Sequence, residues 1–249
     1  MLKQAMVFAA GMGTRLKPMT EHTPKALVRV GEKPLLEHVL LKLKKAGAAH
    51  VVVNVHHFSQ QIIDFLRQND NFGMEISISD ESDMLLETGG GIKKALEMFD
   101  LNLPVLVHNV DILSNLDLSA FWETKDGNAT KLVVNSRNTE RYLLFNDNMR
   151  LMGWTNLKTD EIKSPYPQLN TEECKKMAFC GIHLLAPQIF PYLQDMPQRF
   201  GIMDLYLKIC QEVPIQGYFK EDLRCMDVGK IEMLQDAQHF LDDIQDNRK

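Results

Sequence analysis

Apolar and polar positions in the first half of the chain switch back and forth between two periods. Ala5–Ala10 is a continuous apolar run, the pattern of a central strand covered on both faces. Pro34 then stands at the first position of a helical pattern, Leu35–Leu43, which Gly47 closes. Val51–Val55 is a second apolar run, and Ser59 is placed to cap Gln60–Gln68, where Ile62, Ile63, Phe65 and Leu66 share a face. Ile76–Ile78 alternates as a strand does. A glycine-led helix is expected over Gly91–Phe99, then a strand at Val105–Val107 that runs out at Asn109-Val110-Asp111. Strand and helix in this order predict a parallel sheet with right-handed crossovers.

The second half is less regular. Asp117 is placed to cap a helix through Phe121-Trp122. Lys131–Asn135 reads as a strand, and Tyr142–Leu151 reads as a hairpin turning at Asn146-Asp147-Asn148, which predicts a mixed or antiparallel edge. Residues 155–176 are polar, carry Pro165 and Pro167 and lack a clear period, the pattern of a lid, a binding loop or a disordered segment. Phe179–Leu184 returns to strand, Met203–Gln211 to helix and Ile215–Phe219 to strand, and Ile231–Leu241 is a terminal helix. With no repeat or low-complexity tract, the expected fold is one α/β domain over 1–249: a Rossmann-like, doubly wound mixed sheet, predominantly parallel.

Composition narrows what such a fold does. A content of 45% hydrophobic and 24% charged residues suits a globular protein with a sizeable core. Lys and Arg total 28 against 33 Asp and Glu, a formal charge of −5, which argues against a general nucleic-acid binder but not against a locally positive anion site. Cys174, Cys180, Cys210 and Cys225 show no C-x-x-C spacing, so neither a disulfide framework nor a zinc site is expected. The apolar stretch after Lys3 is too short for a signal h-region, and no stretch approaches the roughly 20 apolar residues that span a bilayer. A cytoplasmic protein without a membrane partner is expected.

The chemistry concentrates after the first strand. Gly11 and Gly13 let backbone N–H groups approach a phosphate at the sheet edge where open α/β folds bind ligands. Thr14 and Arg15 follow, and then Lys25 adds a point charge to the guanidinium's fork. Leu16 stands where a dinucleotide fingerprint needs its third glycine, which disfavours an NAD-dependent oxidoreductase, and the Gly-Lys-Ser/Thr ending of a Walker motif is absent. Asp111 lies just past an apolar strand at the same edge. Asp227 precedes Val228-Gly229 at another strand end, and a lone aspartate in either place also serves as a turn cap. Gly89-Gly90-Gly91 lets backbone lie flat against a ring, ahead of a helix N-terminus that favours negative charge. Gly181, within a strand, is either a bulge or a close approach to a ligand. Trp154 is either core or cover for a ligand. His56 and His57 point to opposite sides, against joint metal ligation.

The run Ala9-Ala10-Gly11-Met12-Gly13-Thr14-Arg15-Leu16-Lys17-Pro18-Met19-Thr20 with Thr23-Pro24-Lys25-Ala26-Leu27 resembles the signature of sugar-1-phosphate nucleotidyltransferases. Further matches occur at Glu87–Ile92, Asn109–Asp111, Phe179–Ile182 and Met226–Gly229. The Leu-Glu-Thr-Gly-Gly-Gly-Ile form and the short length look closest to N-acetylmuramate 1-phosphate uridylyltransferases, with heptose 1-phosphate guanylyltransferases next. The resemblance implies a Mg²⁺-dependent enzyme of cell-wall nucleotide-sugar biosynthesis that takes a nucleoside triphosphate, UTP favoured, and a sugar 1-phosphate. Residues 1–116 would form the nucleotide-binding half and 117–249 the sugar-binding half. It implies Arg15, Lys25 and Asp111 as catalytic residues and Asp111 and Asp227 as metal ligands. Nucleotide contacts would come from Ala9, Ala10, Gly11, Gly13, Thr14, Arg15, Gly89, Gly90 and Asn109, and a sugar contact from Gly181. Val110 departs from the family's usual glycine before the first metal aspartate. A guanylyltransferase and a nucleotide-sugar sensor without catalysis are the alternatives; the sequence does not fix the oligomeric state.

Overall fold

The apolar runs become strands wherever both faces find a helix to cover them. In the computed structural model, residues 1–125 and 128–246 are described. β1 (Gln4–Phe8) is followed by three single 3₁₀ turns, by the short β2 (Arg29–Val30) and β3 (Lys33–Pro34), and by α1 (Leu35–Lys45). Pro34 is the N-cap of α1, in extended conformation, rather than its first helical residue. There follow β4 (His50–Val55), α2 (Ser59–Gln68), β5 (Glu75–Asp80), α3 (Glu87–Ala95), β6 (Val105–Asn109), β7 (Ile112–Ser114) and α4 (Leu118–Glu123). The second half adds β8 (Thr130–Asn135), β9 (Arg141–Phe145), β10 (Leu151–Asn156), β11 (Glu161–Lys163) and β12 (Lys175–Leu185). It ends with α5 (Phe190–Gln194), α6 (Ile202–Ile209), β13 (Ile215–Phe219), β14 (Cys225–Asp227) and α7 (Met233–Asp246).

One ten-stranded sheet runs in the order β11-β10-β9-β12-β6-β1-β4-β5, with β8 pairing β12 and β13 pairing β8. β5, β4, β1 and β6 are mutually parallel, and β12 joins antiparallel to β6. Alternate residues feed two cores. Ala5, Val7, Val51 and Val53 face α1, α2 and α7, while Met6, Val52 and Val107 face α3, α5 and α6. This is the doubly wound arrangement that the alternating pattern predicts. Helix α1 buries Leu35, Leu36, Val39, Leu40 and Leu43, each contributing about 1.5–3 kcal/mol. Among the described residues no helix is long and apolar enough to cross a membrane, and the four cysteines are free thiols.

Several boundaries differ from expectation. β1 stops at Phe8, so Ala9 and Ala10 lie beyond the strand. Ser59 is the first residue of α2, not its cap; Phe58 holds that position in a left-handed conformation, and its side chain makes no capping bond. Asp117 does cap α4, accepting from the Ser119 and Ala120 amides at 2.9 and 3.0 Å. Helix α3 starts at Glu87, so the three glycines are inside it rather than ahead of it. The polar stretch 155–176 is no bare loop: β10 and β11 form its first part as an antiparallel pair, and Lys175 already belongs to β12. Its side chains lack an apolar period because β11 is a fully exposed edge strand.

Candidate active site

The C-terminal ends of β1 and β6 open onto one cleft. Past β1 the chain turns on hydrogen bonds to the Gly13 carbonyl, which accepts from the Leu16 amide and from Thr20 Oγ1, both at 2.8 Å. A further 3₁₀ turn, Lys25–Leu27, then brings Lys25 back underneath. Lys25 is only 8% exposed and its ammonium sits on the Asp111 carboxylate. Asp111 is held where it is by its neighbours. The Val110 amide donates to Phe8 O at 3.2 Å and the Val228 amide donates to Asp111 O at 2.8 Å. The Val110 side chain is buried in the core.

β14 pairs antiparallel with β7, setting Asp227 opposite Ile112. A Cβ placed on Gly229 would lie 2.8 Å from both Arg15 Nη2 and Asp227 Oδ1, so the guanidinium and this carboxylate flank the same residue. Burial raises the Asp227 pKa, the nearby Asp111 charge raises it further, and Lys25, Arg15 and Arg137 oppose the shift. Two carboxylates and three cations thus share one locality, although they come from five separate segments. Arg137 was not legible in the sequence, since it follows β8 with no motif around it. The fold anchors it on Phe179 O at 2.8 Å and Asn135 Oδ1 at 3.1 Å.

A cleft of about 390 Å³ is lined by Phe8, Ala10, Gly11, Lys25, Asn54, Glu81, Leu85, Glu87, Thr88, Asn109, Val110 and Asp111. Larger cavities occur elsewhere, among them one of about 590 Å³ beside Gly90, Lys93 and Gln198, but the paired Lys25 and Asp111 lie in the smaller one. Five of the sequence-predicted residues therefore reach this wall directly: Ala10, Gly11, Lys25, Asn109 and Asp111. Gly13, Arg15 and Asp227 flank it through the contacts above, and Thr14, exposed, lies between the first two.

The remaining residues singled out in the sequence are placed as follows. The Ala9 and Ala10 amides are not open to a ligand; both donate to Asn54 Oδ1, at 2.8 and 3.3 Å. Gly89 and Gly90 do not form an anion-binding helix start, because their amides donate to Phe200 O at 2.9 and 3.2 Å. They are glycines for packing: a Cβ on Gly89 would overlap the Phe200 ring, and one on Gly90 would meet Gln198 O. Gly181 is a bulge, with φ of 67°, where the β12–β8 register shifts between Phe179 and His183. It also faces the cleft's Asn109, whose Nδ2 would be 2.7 Å from a Cβ there. Trp154 is half-buried against the α3–α6 side core, and the cleft lining draws no residue from 155–176. His56 Nδ1 meets Glu81 O at 2.6 Å while the His57 ring packs on Phe58, so the two do diverge. Among the described residues no group of three or more His, Cys, Asp or Glu side chains clusters as a metal site.

Residues 4–244 match the family model described as nucleotidyl transferase. The N-acetylmuramate alpha-1-phosphate uridylyltransferase of Caulobacter vibrioides is 33% identical over 230 residues, 89% of this chain and 90% of that protein. The protein of the same name from Neisseria meningitidis serogroup B is 40% identical over 121 residues, 49% of this chain and 52% of its own length. Among solved structures, HddC from Yersinia pseudotuberculosis, complexed with GMP-PN, aligns with a TM-score of 0.74 at 18% identity over 96% of this chain and 99% of that one, a likeness of fold.

Proposed function

Because the chain belongs to the nucleotidyl transferase family, we propose that it transfers uridine monophosphate from UTP to a sugar 1-phosphate, N-acetylmuramate 1-phosphate by preference, with release of pyrophosphate. The observation that carries this reading is the meeting of Lys25, Arg15, Asp111 and Asp227 at one sheet edge beside a cleft. The names of the uridylyltransferase relatives support the choice of base and sugar. On the same reading, residues 1–249 act as one nucleotidyltransferase domain, working in the cytoplasm in nucleotide-sugar supply for the cell wall.

The incoming phosphate is already an anion at neutral pH, so a phosphate oxygen attacks the α-phosphorus without a general base. The demands left are in-line placement and relief of repulsion between two anions. Lys25 holds the α-phosphate or the incoming phosphate once it exchanges Asp111 for a ligand. Arg15 steadies the leaving phosphates with its fork of donors. Asp111 and Asp227 would hold a Mg²⁺ ion. The residues fit that ion: two oxygen-donor side chains, with no third protein ligand grouped with them among the described residues, suit a cation that keeps waters and shares substrate phosphates. Burial raises the Asp227 pKa and the Asp111 charge raises it further; the second of these, the repulsion between the carboxylates, is what a shared cation relieves. When bound, the ion supplies positive charge that offsets the phosphates' repulsion.

The test is pyrophosphate release over a grid of four nucleoside triphosphates and several sugar 1-phosphates, with and without a chelator. UTP with N-acetylmuramate 1-phosphate should be fastest and the chelator should abolish turnover. A preference for GTP would make the protein a guanylyltransferase. Tight nucleotide-sugar binding without pyrophosphate would make it a sensor.

A further inference from the structure

Two buried side chains outside the family signature join the walls of the cleft. Asn54, on β4, is 2% exposed and Glu81, just past β5, is 1% exposed. Asn54 Nδ2 donates to Glu81 Oε1 at 2.7 Å. From this contact, bonds run both ways. Asn54 Oδ1 takes the Ala9 and Ala10 amides, and Glu81 Oε2 takes the Leu86 amide at 3.0 Å. The segment after β1 and the segment before α3 are therefore spanned by one bridge, and both of its side chains line the cleft. Helix α3 closes directly on the pair. A Cβ on Gly91 would stand 2.8 Å from Glu81 Oε1 and 3.2 Å from Asn54 Nδ2, which explains the third glycine of the triplet. Every polar atom of the two side chains that takes part has a partner, and a fully satisfied buried network rigidifies what it connects.

We propose that Asn54 and Glu81 are a positioning pair that sets which base the cleft accepts. The inference rests on the nucleotidyl transfer proposed above. In a trans peptide the N–H and C=O point in opposite directions. The Ala9 and Ala10 amides are turned onto Asn54 and Phe8 O already accepts from Val110, so of these two peptides the Ala9 carbonyl is left to a base, an acceptor with no donor beside it. A base whose ring nitrogen carries hydrogen, as N3–H of uracil does, matches such a wall. Cytosine, whose N3 is a bare acceptor, does not, and a site built around one hydrogen-bond polarity strongly rejects the analogue that lacks it. Glu81 keeps Asn54 in this orientation, because its oxygens accept only from the NH₂ end of the amide.

The polarity of the bridge makes a double-variant test available. N54D sets two carboxyl groups face to face, and E81Q sets two amides face to face. In N54D/E81Q the new carboxylate accepts from the Ala9 and Ala10 amides and from the new NH₂, while the new amide carbonyl accepts from Leu86, at unchanged net charge. The measurement is kcat/KM for UTP and for CTP at fixed sugar 1-phosphate, alongside thermal unfolding. Each single variant should lower the UTP-to-CTP ratio by about tenfold or more, through the nucleotide KM and with the sugar 1-phosphate KM unmoved, and the double variant should restore the ratio. Equal loss for both nucleotides, or a folded double variant that restores nothing, overturns the proposal. Should the single variants not fold, Gly91→Ala, which presses on the pair without removing a bond, should lower the same ratio, and an unchanged ratio overturns it. Wild-type protein that releases no pyrophosphate from any nucleotide sinks the transferase reading instead, and the ratio is then read as one of dissociation constants.

Discussion

Lys25 and Arg15 are both cations beside carboxylates, yet they sit differently. Lys25 is buried and committed to Asp111, whereas Arg15 reaches across Gly229 toward Asp227. Replacing either by Ala should lower turnover by about 10²-fold or more, the usual cost of removing one preorganised donor to a developing charge. Lys25→Ala should also leave Asp111 uncompensated next to Asp227, a more negative site that binds the cation more tightly, so its remaining activity should need less Mg²⁺ than that of Arg15→Ala. Steady-state rates over a Mg²⁺ titration, with circular dichroism to confirm folding, check both statements; near-normal turnover in a folded Arg15→Ala protein removes that residue from the chemistry. These two cations and Asp111 were legible because glycine, arginine, proline and lysine stand at fixed spacing around one strand end. Asn54, Glu81 and Arg137 were not. Each lies alone in its own segment, and only the sheet order brings them to the cleft.

At the scale of elements, β12 carries two features that a strand tolerates only for a reason. Its bulge puts Gly181 at a φ of 67° against Asn109, so Gly181→Ala should cost about 1–2 kcal/mol from the left-handed backbone alone, and more from the contact with Asn109 Nδ2. A shift of the urea midpoint without a change in slope would show this. Two residues on, His183 is buried between β12 and α6, meeting the Tyr206 hydroxyl. Burial, and then the neighbouring His108, push its pKa down to about 3. Below an unfolded value of 6.5 the unfolded chain gains a proton that the folded chain refuses. Stability is therefore complete above pH 6.5 and declines as the pH falls from there toward 3. His183→Gln should remove about 1.4 kcal/mol per pH unit from that acid slope, measured by urea unfolding at several pH values between 7.5 and 4.5. A slope that the substitution leaves unchanged would mean that His183 titrates normally. The existence of β12 was readable from its apolar run, but its full eleven residues were not, since the polar Lys175 and Lys176 pair with β9 through backbone bonds that side-chain pattern does not report. Helix α3 starts ahead of its glycines, at Glu87, for a related reason. Glycine normally signals a break, and here it marks close packing on Phe200 and Glu81.

For the whole molecule, the alternation of strand and helix was enough to read a doubly wound sheet, whereas the strand order depends on pairings between residues far apart in sequence. Those pairings bear on whether the first half, residues 1–116, and the second, from 117 onward, behave as separate units. The sheet crosses between them at the β6–β12 pairing, where Val105–His108 meet Ile182–Leu185. The last strand, β14, returns to β7. Helix α7 then packs back on β2, β7 and β14, burying Ala237, Leu241 and Ile244 in the core that also holds Leu35 and Val39. Asp111 and Asp227 consequently depend on contacts from both halves, and the strands of the first half take part of their cover, from α5, α6 and α7, from the second. The expected behaviour is one cooperative unfolding transition. Trp122 and Trp154 are the two tryptophans and both lie in the second half, so their fluorescence reports that half, while far-UV circular dichroism reports both. The two urea curves should share a midpoint and a slope, as coincident probes do in two-state unfolding. A fluorescence change that precedes the loss of ellipticity would show the second half opening while the parallel strands β5, β4 and β1 stay folded, and would make Asp227 the separable half of the aspartate pair.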